Sequence, residues 1–318
     1  GQEIAGIQEL GTIGRGERMQ ISTFIERSVD HELSGNIIDL CPVGALNSKP
    51  YRFSARAWEM QALPTVAPHD CVGSNLSAHV LLGKVKRVVP RANEAVNETW
   101  LGDRDRFSYE GIYADRIEQP MIRDGGALRT ASWEEALEAA AAGVSRSVGK
   151  GNGGGLGAWA GPTSTVEEGF LLQRLLRHLG SDNLDHRLRR RDFRLQERDP
   201  VFPWVGSSLA ELEQADAIVI VGSNLRREAP LIAHRVRKAA LRGASVVFVN
   251  PGRYEYLHPV AGYLETGLDL VGGLRRLLTD SPDAEASAIL GRLRGAARPV
   301  ILLGQIAGRH PRLADVRQ

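Results

Sequence analysis

Cysteine is almost absent: Cys41 and Cys71 are the only two among 318 residues. Two thiols in a chain this long make no disulfide framework, and a reducing, cytoplasmic setting is expected. No apolar run approaches the ~20 residues that a membrane-spanning helix needs, so any membrane association is expected to come through partners. A dominant charge is missing too. Forty basic residues stand against 38 acidic ones, a formal charge of +2, which excludes a global field for nucleic acid or anionic lipid. Phosphate-loop, zinc and nucleophile–His–acid patterns are lacking, and no secretory signal is read. No catalytic residue is therefore assigned. What remains is the make-up of an ordinary soluble globular protein, 42% hydrophobic and 25% charged.

The clearest pattern lies in the last third. Ala217-Ile218-Val219-Ile220-Val221 is an unbroken apolar run bounded by Asp216 and Gly222, as expected of a strand covered by helices on both faces. Helices are expected at 230–242, 269–278 and 283–294, alternating with strands at 245–249 and 299–303. That alternation predicts a doubly wound parallel α/β sheet. Upstream, Ser132 with Glu135 and Ser164 with Glu167 read as capping boxes opening two further helices, the second ending at Gly180. Between them come a glycine-rich loop at 149–155 and a strand at 156–160. A small β-rich stretch precedes these. In it, strands at 76–82 and 85–89 are joined by a Gly83-Lys84 turn, after a polar connector at 52–65.

Few residues can carry chemistry. Cys41, in Leu40-Cys41-Pro42-Val43-Gly44-Ala45-Leu46, has the Cys-Pro pair that ends ferredoxin-type ligand runs. Gly44 would let backbone pass close to a cluster, yet one thiolate holds none by itself, and a buried inert thiol is the plain alternative. Cys71 follows His69 and Asp70, but neighbours along a strand point to opposite faces and would not converge. The turn from Gly222 to Arg227 lies where open α/β sheets bind ligands. It lacks G-x-G-x-x-G; Arg226 and Arg227 would hold either a phosphate or an acidic neighbour. The basic run from Asp185 to Arg191 has no interleaved aromatics and reads as a solvated face or protein interface.

Longer motifs carry a resemblance. Ser34-Gly35-Asn36-Ile37-Ile38-Asp39-Leu40-Cys41-Pro42-Val43-Gly44-Ala45-Leu46, then Lys49-Pro50-Tyr51-Arg52-Phe53, resembles a signature of the large iron–sulfur subunit of bacterial proton-pumping NADH:quinone oxidoreductase (complex I). So do Asn93-Glu94-Ala95-Val96-Asn97-Glu98-Thr99-Trp100-Leu101 and Asp105-Arg106-Phe107-Ser108-Tyr109-Glu110-Gly111. Leu179-Gly180-Ser181-Asp182-Asn183-Leu184-Asp185-His186-Arg187-Leu188 is similar to the molybdopterin-oxidoreductase-like region of the same family. The likeness covers essentially the whole chain.

It implies three parts: the end of a ferredoxin-like [4Fe-4S] domain at 1–60, a small β-rich domain at 61–125, and a molybdopterin-oxidoreductase-type α/β domain at 126–318. It implies that Cys41 is the last of four thiolate ligands to a [4Fe-4S] cluster, the other three lying upstream of Gly1. The chain would then be an internal fragment, inactive in isolation. A further C-x2-C-x3-C-x27-C site of some members would fall on Ala67, Asp70, Ser74 and Gly102, none of them cysteine, so that second cluster is expected to be absent. No bound molybdopterin is expected either. The implied partners are the flavin-binding and iron–sulfur subunits of the peripheral arm, on the inner face of the bacterial plasma membrane. A molybdopterin-dependent dehydrogenase of formate dehydrogenase type, and a redox-inactive scaffold, are the alternatives.

Overall fold

Residues 1–23, 28–149, 153–187, 191–200, 205–279 and 284–318 are described by the computed structural model. They form two units, Gly1–Glu110 together with Arg191–Gln318, and Gly111–Arg190.

In the first unit, β1 (Leu10–Ile13) and β2 (Gln20–Thr23) pair antiparallel across the glycine-rich turn. The short apolar segment before Cys41 becomes α1 (Asn36–Leu40). Three antiparallel strands follow, β3 (Gln61–Val66), β4 (Asn75–Leu81) and β5 (Lys84–Pro90). The expected hairpin is present, but its turn is Leu82-Gly83, one residue earlier than Gly83-Lys84. Both turn residues have positive φ, 51° and 73°, the geometry whose twist matches the flanking strands. The supposed connector at 52–65 ends in β3. Pro64 argued against a strand there, yet β3 pairs only with β4, and an edge strand tolerates proline. After the sheet comes α2 (Asp103–Phe107). Ala67, Leu76, Val88, Leu101 and Tyr109 close a small core, with the Tyr109 hydroxyl donating to the Lys86 carbonyl at 2.9 Å.

The second unit opens with a hairpin, β6 (Met121–Asp124) and β7 (Ala127–Thr130), turning at Gly125-Gly126 with both φ positive. Next is α3 (Trp133–Gly149). Ser132 Oγ accepts the Glu135 N–H at 3.1 Å, but the reciprocal half of the expected box is replaced: the Glu135 carboxylate pairs with Arg129. A two-residue strand, β8 (Ala158–Trp159), precedes α4 (Val166–His178). Here the capping box joins Thr165 to Glu168, one residue later than Ser164 and Glu167. The chain leaves this helix through Gly180, at φ +80°, and β9 (Leu184–Asp185) pairs parallel with β8. Residues 150–152 of the expected loop lie outside the described residues.

The rest of the first unit carries the parallel sheet. Its elements are β10 (Ala217–Val221), α5 (Leu225–Glu228), α6 (Pro230–Leu241), β11 (Ser245–Asn250), β12 (Gly262–Glu265), α7 (Leu270–Leu278), α8 (Ala284–Arg294), β13 (Pro299–Leu303), α9 (Gln305–Gly308) and α10 (Leu313–Arg317). The strand order is β12-β11-β10-β13, with every neighbouring pair parallel. Alternation along a strand divides the apolar runs between two cores. Ile218, Ile220, Val246 and Phe248 pack with Leu231, Ile232, Val236 and Ala239 of α6. Val219, Val221, Val247 and Val249 pack with α7 and α8 through Leu270, Leu277, Ala286 and Ile289. Helices thus cover both faces, as the apolar run implied. Each fully buried aliphatic or Phe side chain contributes about 1.5–3 kcal/mol. The sequence reading missed β12, since an edge strand of four residues containing Gly262 shows no apolar run.

A buried ion network ties the parallel sheet's helix α6 to the loop after β5. Glu98 accepts from Lys238 at 2.6 Å, from Arg235 at 2.5 Å and from the Trp100 indole at 3.0 Å. Glu213 binds the same Arg235 and Lys238, and Arg242 at 3.1 Å. Burial alone would raise the Glu98 pKa. The Lys238 hydrogen bond and the charges of Arg235, His234 and Lys238 outweigh it and hold the group at about 2. A carboxylate depressed in the folded state stabilises fully above its unfolded pKa of about 4.3, and that contribution is lost as pH falls through the folded value. Glu98→Gln should therefore lower stability by about 3 kcal/mol at neutral pH. In urea unfolding, the gap between wild type and variant should narrow from pH 5 towards pH 2; a gap independent of pH would contradict this account.

Candidate functional site

Cys41 is the C-cap of α1, and three side chains from the loop and helix after β5 set that helix in place. Asp103 accepts from Ser34 Oγ at 2.5 Å and from the Gly35 N–H at 2.7 Å. Asn36 is buried; its Nδ2 donates to the carbonyls of Leu33 and Leu101, and its Oδ1 accepts the Leu101 N–H. Arg106, also buried, binds Asp39 at 2.5 Å. The approach is close enough that a Cβ on Gly35 would lie 2.6 Å from the Arg106 side chain, so only glycine fits.

The chain beyond Cys41 wraps around its sulfur. Cys41 is half-buried, and its Sγ accepts the Leu46 N–H at 3.4 Å. This amide is the largest influence on the thiol. Partial burial opposes it, the amides of Val43, Ala45 and Gly44 assist it, and the net effect holds the pKa below the ordinary thiol value. Gly44, at φ +66°, allows the tight return. Amides aimed at a sulfur favour the thiolate, which is the metal-binding form, and hydrogen bonds to sulfur also tune iron–sulfur centres. The arrangement fits a single thiolate ligand. Among the described residues no group of three or more His, Cys, Asp or Glu side chains is placed to hold a metal ion.

The four positions of the further cluster spacing are occupied by packing and ion pairs. Ala67 is buried and donates its N–H to the Ser74 carbonyl at 2.9 Å. Ser74 is fully buried. Asp70 accepts the Val72 N–H at 3.0 Å and Arg104 at 3.2 Å. Gly102 is the N-cap of α2, and a Cβ there would meet Asp105 Oδ2 at 3.6 Å and Pro230 at 3.7 Å. Asp105 in turn meets His69 Nδ1 at 2.8 Å. Burial, then the Asp70 charge, raises the Asp105 pKa against the pull of His69. Cys71 sits in a turn rather than a strand. It is exposed, and desolvation of the thiol followed by the charges of Asp70 and Glu228 pushes its pKa up. His69 and Asp70 do turn away from it, although the reason is their engagement with α2 rather than strand alternation.

Of the two readings for the arginine pair, the acidic neighbour is the one found. Arg226 and Arg227 both grip Glu32, each at 3.0 Å. In the basic run, Asp185 accepts from the His186 N–H and from Arg187, and Arg191 lies 3.8 Å from Asp199; residues 188–190 lie outside the described residues.

Three family descriptions match the chain. Molybdopterin oxidoreductase matches residues 116–312. The ferredoxin-like domain of NADH-quinone oxidoreductase subunit 3 matches 1–47, and the NADH-ubiquinone oxidoreductase NDSU1/NuoG-like 4Fe-4S domain matches 60–110. The chain belongs to the molybdopterin oxidoreductase family. Among its curated relatives in that family is an NADH-quinone oxidoreductase subunit of Rickettsia bellii, 41% identical over 248 residues, which are 77% of this chain and 36% of that protein. The NADH-ubiquinone oxidoreductase 75 kDa subunit of Reclinomonas americana is 37% identical over 78% of this chain and 37% of its own length. The mitochondrial 78 kDa subunit of Candida albicans is 42% identical over 76% and 33%. The chain thus spans about a third of the length of these relatives. Acetylene hydratase from Pelobacter acetylenicus shares the fold, with a TM-score of 0.56 at 14% identity over 77% of this chain and 40% of that one. Cys41 falls inside the ferredoxin-like match, whereas Ala67, Asp70, Ser74 and Gly102 fall inside the 4Fe-4S match without a thiol among them.

Sequence reasoning missed Asn36, Asp103 and Arg106 as the residues that orient Cys41. No spacing rule links them, because 65 to 70 residues separate the partners. The two thiols should titrate on opposite sides of the ordinary value of about 8.5. Alkylation rates followed against pH should give a midpoint below it for Cys41 in a C71S variant and above it for Cys71 in a C41S variant. The reverse order would refute the amide-wrapped geometry.

Proposed function

We propose that this chain is part of the iron–sulfur electron-transfer subunit of an NADH:quinone oxidoreductase, and that Cys41 is one thiolate ligand of a [4Fe-4S] cluster. The observation that carries the reading is the cysteine ending α1 with backbone amides turned onto its sulfur, inside a segment matched by a ferredoxin-like domain. When bound, such a cluster supplies one-electron transfer. This chain's own contribution is to present the Cys41 thiolate, to favour its charge through the Leu46 amide, and to fix its direction through Asn36, Asp103 and Arg106. Because the sequence holds one other cysteine, and that one is exposed with a raised pKa, the remaining three thiolates come from outside these 318 residues.

In the same reading, NADH is oxidised by flavin on another subunit and the electrons pass on towards quinone. The peripheral-arm flavin and iron–sulfur subunits are the partners, and they hold the protein on the inner, cytoplasmic face of the membrane. Among the described residues no helix is long and apolar enough to cross a bilayer. The division at residues 60 and 125 separates the ferredoxin-like end, the β-rich part and the α/β part. The β-rich part carries no second cluster, since His69, Asp70, Arg104 and Asp105 engage one another where thiolates would be required. The α/β part serves without molybdopterin, and the 318 residues alone carry no enzymatic activity.

Cys41→Ala in the full-length protein should remove one [4Fe-4S] signal from the electron paramagnetic resonance spectrum and abolish NADH:quinone activity. An unchanged spectrum would remove Cys41 from the ligand set. Metal analysis addresses the cofactor directly. Iron should be present in the full-length protein while molybdenum and tungsten are at background, and stoichiometric molybdenum or tungsten would instead establish the molybdopterin-dependent dehydrogenase.

A further inference from the structure

In an open parallel sheet the ligand crevice lies at the carboxyl ends of the strands, where the strand order reverses. Here β10 leads to β11 and β12 on one side, and the chain then returns to place β13 on the other. The reversal therefore falls between β10 and β13, and the loops after these two strands should frame any ligand. They are instead joined to each other. Gly304 donates its N–H to the Val221 carbonyl at 2.9 Å, and Ile306 and Ala307 donate to the Gly222 carbonyl at 2.9 and 3.2 Å. A Cβ on Gly222 would lie 2.5 Å from the Ala307 nitrogen, and one on Gly304 would lie 2.2 Å from Ser223. No room for a ligand remains between them.

One side chain completes the closure. The Glu228 carboxylate accepts from Ser223 Oγ at 2.9 Å, from the Asn224 N–H at 3.1 Å and from the Gln305 N–H at 2.9 Å. Those donors come from both loops, so a single carboxylate spans the reversal point. Its backbone carbonyl accepts from Arg104 at 3.2 Å, the same arginine that binds Asp70. The space left at this end of the sheet is displaced towards β11. It is a cleft of about 450 Å³ lined in part by Asn224, Arg226, Arg227, Arg253 and Glu32, and Glu32 already pairs with Arg226 and Arg227.

We propose that Glu228 is a built-in occupant of the ligand crevice: its carboxylate takes the donors that an anionic ligand would use and latches the β10 and β13 loops together. The crevice then acts as a joint, which excludes phosphate-bearing ligands and passes on through Arg104 to the turn carrying Asp70. Removing the carboxylate leaves three donors without an acceptor and a hole the size of the lost group, because the backbone contacts of the latch remain.

Glu228→Ala in the full-length protein leaves the Cβ, and acetate supplies the two missing carbons with their charge. The variant should melt several degrees below wild type. Sodium acetate should restore most of that loss with saturable dependence, sodium chloride at equal ionic strength should not, and the wild type should be unmoved. Equal melting of variant and wild type, or the same acetate response in both, would overturn the proposal. Glu228→Gln, which keeps the volume, guards against a variant that fails to fold. It should be destabilised and unresponsive to acetate, and a Gln variant as stable as wild type overturns the proposal equally.

Discussion

The Glu98 carboxylate is the constraint on which the arrangement of the first unit depends. It lies in the loop after β5 at φ +52°, a backbone region costly for any residue but glycine. The chain accepts that cost because the group is held from several sides. Glu98 and Asn93 exchange backbone hydrogen bonds at 2.8 Å, while Arg235 and Lys238 of α6 bind the carboxylate. Glu213 shares both cations, so two acids and two bases neutralise one another out of water. A buried pair of this kind adds little over an apolar substitute, but losing one partner strands the others. The network therefore specifies where the antiparallel sheet lies against α6 more than it adds stability.

From that loop the same logic extends to the cysteine. Asn97 accepts the Asn75 N–H and donates back to its carbonyl. A few residues on, Asp103 and Arg106 take hold of α1. Cys41 is thus oriented from a segment some 60 residues downstream, which is itself moored to the parallel sheet. Polar contacts also replace what sulfur would have done at Ala67, Asp70, Ser74 and Gly102. A thiolate set needs four soft donors converging on one point. Here His69 and Asp105 pair with each other, Asp70 pairs with Arg104, and Gly102 leaves space that Asp105 and Pro230 approach.

Much of this was legible from local pattern. The run from Ala217 to Val221 announced a strand covered on both faces, because alternate residues had to be apolar in both directions. Pro230 and Gly180 marked helix ends through backbone rules that act over a few residues. The errors were local as well. The turn shifted to Leu82-Gly83 because strand twist outweighed the preference for glycine first, and Glu135 left its box because Arg129 was within reach. The strand containing Pro64 went unseen since only the sheet order reveals which strand is the edge.

By itself the sequence determined the alternating α/β pattern, the Cys-Pro motif at the end of a short helix, and the lack of thiols at the four spaced positions. These are properties of residue type and of neighbours within one or two turns. Only the tertiary structure decided that Arg226 and Arg227 meet Glu32, 194 residues away from Arg226, that Asn36 answers to Leu101, and that Glu228 faces Gln305. Ion pairs and hydrogen bonds act through space over about 3 Å, and no periodicity along a chain records which distant partner will be brought within that reach.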